Sequence, residues 1–136
     1  MTVYALLLSG CYPDTLRQQL AGTDTIEIVF LDTKTGHPLP EDTLVFASKD
    51  HINALLACFS AQKSSPVKCV PAARVFFRRQ RVGVLLLEAD LVLQRDCAYL
   101  TYAYKNRVWS RALNPKGQEM IHLARKTGGA VVKELM

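Results

Sequence analysis

The chain reads as an α+β domain: an antiparallel β-meander with one helix packed across it and a second helix near the C-terminal end. Three observations predict this. Thr25–Leu31 alternates apolar and polar residues with the period of a half-buried strand. Between residues 73 and 113, apolar runs are separated by connections of two to four residues, too short for the crossovers that parallel strands need. Two further stretches carry apolar residues at helical spacing behind a capping residue, Ser48 in one case and Asn114 in the other. The 136 residues are 49% hydrophobic and 21% charged, which fits a single folded domain over residues 1–136 and excludes a disordered or collagen-like chain. No 20–50-residue repeat is present, so a solenoid is excluded as well.

Val3–Leu8 is an apolar run of strand length, and Ser9-Gly10 before Tyr12-Pro13-Asp14 is turn chemistry. Asp14 can cap a short helix over Thr15–Leu20, closed by Ala21-Gly22. Thr25–Leu31 follows as a strand with Ile26, Ile28 and Phe30 on one face. Asp32–Gly36 is a polar turn. Pro38 and Pro40 predict loop over His37–Asp42, with Leu44-Val45-Phe46 a short extended stretch. Ser48 caps the next helix, Asp50 lies in its first turn, and Ile52, Leu55, Leu56 and Phe59 form its apolar stripe. Ala61–Pro66 reads as a polar loop. The meander is Ala73–Phe77, a turn at Arg78–Arg81, Val82–Leu93, Cys97–Tyr104, a turn at Lys105-Asn106, and Arg107–Leu113. Asn114 then caps a helix with Pro115 at its first position and Met120, Ile121 and Ala124 on its apolar face; Gly128-Gly129 stop it, leaving Ala130–Met136 as a tail or edge strand.

The net charge of +5 is unevenly spread. Residues 1–68 hold five basic and seven acidic residues; residues 69–136 hold twelve and five. A basic half attracts nucleic acid, anionic lipid or an acidic protein. Arg78, Arg79 and Arg81 cluster at the expected hairpin tip, with Tyr102 and Trp109 on the strands beyond. Together these five are the candidate binding residues, because arginines interleaved with aromatics can hold phosphates and stack bases or engage a protein.

No sequence pattern for catalysis, a metal or a cofactor is present: no G-x-G-x-x-G, no P-loop, no H-E-x-x-H and no C-x-x-C. His37, His51 and His122 lie in separate elements, and Glu88 and Asp90 share a strand face as solvated carboxylates. No cofactor is expected. Cys58 follows Leu55 by three and reads as a small core hydrophobe. Cys69 and Cys97 bracket the first two meander strands and come to the same end of the sheet, where they form either a disulfide or two free thiols.

Leu8-Ser9-Gly10-Cys11 resembles the lipobox of bacterial lipoproteins, in which an apolar stretch ends in Leu, two small residues and Cys. No Lys or Arg stands between Met1 and the apolar run. The resemblance implies a lipid on Cys11, and acyl chains hold a protein to a membrane at about 0.8 kcal/mol per buried CH₂. It implies a small lipoprotein of the cell envelope or periplasm, where a Cys69–Cys97 disulfide would persist. The alternative for Val3–Leu8 is a buried strand of a cytoplasmic domain. The functional expectation is a non-enzymatic domain that binds a protein or another envelope partner and meets the membrane only through its lipid. The alternative is a cytoplasmic basic domain that binds RNA or single-stranded DNA.

Overall fold

Among the described residues seven antiparallel strands form one sheet, and two helices complete the α+β fold that the sequence predicts. The computed structural model describes residues 20–63, 69–94 and 97–127. The expectations for Val3–Leu8, Cys11, the helix over 15–19, Gly128-Gly129 and Ala130–Met136 lie outside them. In chain order the elements are β1 (Thr25–Leu31), β2 (Pro38–Phe46), α1 (Lys49–Leu56), β3 (Phe59–Lys63), β4 (Ala73–Arg79), β5 (Val84–Gln94), β6 (Cys97–Tyr104), β7 (Arg107–Leu113) and α2 (Pro115–Lys126). The spatial order is β2-β1-β4-β5-β6-β7-β3. The meander β4-β5-β6-β7 is continuous, β1 and β2 extend it on one side, and β3 adds to the other.

Register turns the period-2 pattern into rows of buried side chains on one face. Phe46, Ile26, Phe77 and Leu87 sit side by side across β2, β1, β4 and β5. Leu44, Ile28, Val75 and Ala89 make the next row, and Phe30, Ala73, Leu91 and Leu100 the third. All of these are buried. Ile52 and Leu55 of α1, with Ile121 and Ala124 of α2, join the same core, so both helices cover this face. α2 is also held at its far end. Arg125 grips Asp42 of β2, with Nη2 2.7 Å from Oδ2, and its guanidinium lies 3.9 Å from the centre of the Phe30 ring.

Three local expectations are corrected. His37–Asp42 is not all loop, because β2 begins at Pro38. β2 is an edge strand among the described residues, and an edge tolerates prolines that have no ladder N–H to give. Phe59 does not continue the helical stripe. α1 ends at Leu56, and Phe59 opens β3, whose pairing with Leu113 and Arg111 of β7 replaces the expected loop at 61–63. The turn after β4 starts later than Arg78. Arg78 and Arg79 remain in the strand, opposite Leu85 and Val84, and a 3-10 turn over Gln80–Val82 ends on Gly83 at φ +67. The left-handed conformation is open to glycine at no steric cost. Ser48 holds the N-cap position of α1 without a side-chain capping bond, whereas the Asn114 side chain accepts from the Gly117 amide at 2.8 Å.

Cys69 and Cys97 are joined by a disulfide, with Cα atoms 6.8 Å apart. It closes a loop with a sequence separation of 28 and contributes about 3–4 kcal/mol in the loop-entropy account. Cys58 is a buried free thiol in the core, as its spacing suggested. Burial pushes its thiol pKa up, which keeps it protonated and unreactive.

Gly117 marks the tightest contact between α2 and its support. A Cβ there would stand 2.6 Å from the Cβ of Cys58 and 2.5 Å from a methyl of Leu113. Gly117→Ala gains about 1 kcal/mol of helix propensity but incurs about 1–3 kcal/mol of overpacking. Chemical denaturation is expected to show a net loss of up to about 2 kcal/mol.

Candidate binding surface at the hairpin end of the sheet

One end of the sheet gathers five of the ten exposed cations among the described residues. Thr25 pairs with Arg78 and Ile26 with Phe46, so β1 starts where β2 and β4 end. Arg79 opposite Val84 places the start of β5 there, and antiparallel pairing brings the end of β6 and the start of β7 to the same side. Exposed at this end are Lys49 at the start of α1, Arg79 and Arg81 at the β4–β5 tip, and Lys105 and Arg107 at the β6–β7 turn. Lys105 and Asn106 both have positive φ, at 50° and 63°, the signature of a tight two-residue hairpin. Every residue from Arg79 to Leu85 is exposed.

Interleaved with the cations are exposed aliphatic side chains. Val82 is 62% exposed, Val84 and Leu85 lie beside it, and Val108 is 71% exposed next to Arg107. Of the six large exposed hydrophobics among the described residues, these four belong to the same end. A cleft of about 890 Å³ opens alongside, lined by Ile52, Leu56 and Phe59 together with Lys49, Asp24 and Arg81.

Asp24 organises the tip. Its Oδ1 accepts the Gln80 amide at 2.6 Å, its Oδ2 accepts the Arg81 amide at 3.2 Å, and the Arg81 guanidinium lies 3.4 Å away. The Gln80 amide bond is the main reason this carboxyl sits below its ordinary range, with the Arg81 amide, the Thr25 hydroxyl and the Arg81 charge adding to it. Arg78 is held differently, 3.6 Å from Glu27 and with its guanidinium 5.2 Å from the centre of the Phe76 ring. Arg79 packs beside the incoming chain: a Cβ on Gly22, itself at φ +88, would meet the Arg79 Nε at 3.1 Å. The three arginines therefore differ. Arg78 is half-buried on a strand and paired, Arg79 is exposed against Gly22, and Arg81 points outward with its side chain 80% exposed.

The two aromatic candidates lie elsewhere. Tyr102 is 4% exposed within the core, and Trp109, its neighbour on β7, is half-buried with its indole N–H donated to the Tyr104 carbonyl. Tyr99 on the opposite face is buried too. These rings fill the sheet rather than join the arginines at the surface. Glu88 and Asp90 do share a face, and both approach Arg74, at 3.3 and 3.6 Å. The histidines stay on separate elements: His37 before β2, His51 buried on α1 and His122 exposed on α2. Among the described residues no group of three His, Cys, Asp or Glu side chains could hold a metal, and no helix is long and apolar enough to cross a membrane.

Sequence reading missed one unusual group. Arg111 is only 3% exposed, on the core face beside Leu100, and its guanidinium lies 5.5 Å from the centre of the Trp109 ring. Its Nε has no hydrogen-bond partner among the described residues. The signal was present, since Trp109, Arg111 and Leu113 share one face by alternation.

Comparison with known proteins finds no matching family profile, no matching curated protein and no matching solved structure.

Two predictions follow from these contacts. Arg111→Met keeps the length and removes a buried charge, so urea denaturation is expected to show unchanged or higher stability, whereas Arg111→Ala loses about 2 kcal/mol or more through lost packing. Asp24→Asn is expected to speed hydrogen exchange at the Gln80 and Arg81 amides and leave Leu91 protected. Because the Asp24 pKa is depressed on folding, its stabilisation is present above the unfolded carboxylate value of roughly 3.9 and is lost as pH falls through the lower folded value. In the wild-type protein the same two amides should therefore open selectively in acid.

Proposed function

We propose that this chain is a non-enzymatic binding domain of the bacterial cell envelope, held through Cys11 and recognising an envelope partner with the hairpin end of its sheet. The observation that carries the reading is the convergence of Lys49, Arg79, Arg81, Lys105 and Arg107 with Val82, Val84, Leu85 and Val108 at one end. Exposed aliphatics rimmed by charge mark interaction sites. The Cys69–Cys97 disulfide supports an oxidising compartment, and the lipobox-like Leu8–Cys11 supports an anchor at the same location.

Binding of RNA or single-stranded DNA is the second reading, since the same cations suit phosphates. Tyr102 and Trp109 do not supply it with a stacking platform, because both pack towards the core.

Intact mass of the protein made from its native gene in its own host tests the reading, with alkylation before and after reduction. The expected species begins at Cys11, carries added lipid mass, and exposes two further thiols only on reduction. An unmodified chain from Met1 with four free thiols overturns it. In that case, salt-dependent binding of oligonucleotides would establish the second reading.

A further inference from the structure

We infer that the partner of the hairpin end is the anionic phospholipid surface itself, which Arg79, Arg81, Lys105 and Arg107 would meet at the headgroups while Val82, Val84, Leu85 and Val108 enter the interface. The inference deepens the envelope reading and rests on it for orientation. Two turns from adjacent hairpins, β4–β5 and β6–β7, present the same composition at the same end of the sheet: cations beside exposed aliphatics. Side chains of this mixture suit the boundary between water and acyl chains, where an apolar group is buried and a basic one stays with the headgroups. Charge complementarity then selects anionic lipid. The nearby acids offset only part of the surface charge: among the described residues Asp24 holds the tip's own amides and Arg81, Glu27 faces Arg78 and Asp50 stands beside Lys49, three acids against the six cations Lys49, Arg78, Arg79, Arg81, Lys105 and Arg107.

Chain connectivity favours the same orientation. Residues 20–24 reach the sheet at this end, where Gly22 lies against Arg79. From Cys11 to Leu20 is nine residues, a span of at most about 32 Å. A lipid on Cys11 therefore leaves the hairpin end within reach of the bilayer.

The test uses the full chain with Cys11→Ser, which carries no acyl group, and vesicles of phosphatidylcholine alone or mixed with phosphatidylglycerol. Co-sedimentation at low salt should capture the protein on the mixed vesicles and not on pure phosphatidylcholine, and added salt should release it. Each basic side chain at such a surface is worth about fivefold in partitioning, so Arg79→Glu with Arg81→Glu should weaken binding by about 25-fold or more. Val82→Ser with Leu85→Ser should weaken it without changing net charge. Lys34→Glu with Lys116→Glu makes the same charge change at the opposite end and should leave binding within about twofold by the same electrostatic measure. The changes at Arg79, Arg81, Val82, Leu85, Lys34 and Lys116 alter exposed side chains, and protection of Cys58 from alkylation checks that each variant is folded. Absence of capture on the mixed vesicles overturns the inference, as does equal weakening by the Lys34 and Lys116 pair. Capture of an acidic protein by the tip without any vesicle binding also overturns it. The protein tested has no acyl chain, so the result stands apart from whether Cys11 is lipidated in the host.

Discussion

The pairing of β1 with β4 is the contact on which the rest of the molecule depends. It joins residues some fifty positions apart, Thr25 to Arg78 and Phe30 to Ala73, and welds the β1–β2 hairpin to the meander. Its register is strongly specified, because a slip of one residue would turn Ile26, Ile28 and Phe30 to the solvent face and Glu27 into the core. The same register delivers Asp24 to the Gln80 and Arg81 amides. Core packing and surface organisation are thus consequences of a single alignment. The apolar rows make it favourable, and the position of the basic tip follows from it.

The two ends of the sheet are managed differently. At the α2 end, polar groups are tied down: Arg125 holds Asp42 and stacks on Phe30, and Asp32 accepts the Lys34 and Thr35 amides. Those two bonds also hold the Asp32 carboxyl below its usual range. At the hairpin end, aliphatic side chains are left exposed between cations. Exposed valines on a strand end carry an aggregation liability, which adjacent arginines and lysines reduce by repulsion. A surface that keeps both features is suited to a partner that buries the one and pairs the other.

The burial of Tyr102, Trp109 and Arg111 alters the meaning of the aromatic, basic half of the chain. Residues 97–113 are rich in rings and cations, yet Tyr102, Trp109 and Arg111 lie on the face that packs into the core. Arg111 and Trp109 pack as a cation–π pair within the sheet, and the exposed cations of this stretch are Lys105 and Arg107 at the β6–β7 turn. Composition could not separate these two sets. Both contain the same residue types, and only their position along the pleat distinguishes a stacked core arginine from a tip arginine.

The sequence by itself determined whatever depends on short-range pattern. β1 and the three strands after Gln80 follow from alternation, the Lys105-Asn106 turn from its tight spacing, and α2 from Asn114, Pro115 and an apolar face. The proximity of Cys69 and Cys97 also followed, from hairpin arithmetic. Tertiary structure decided the rest. β2 runs through two prolines because it lies at an edge, and β3 exists because β7 offers an unpaired side that Phe59–Lys63 can join. The joining of Lys49, Arg79 and Arg107 into one surface was likewise invisible in the chain. A strand's hydrogen-bonding capacity and the end to which its loop is brought are properties of its neighbours, and those neighbours are distant in sequence.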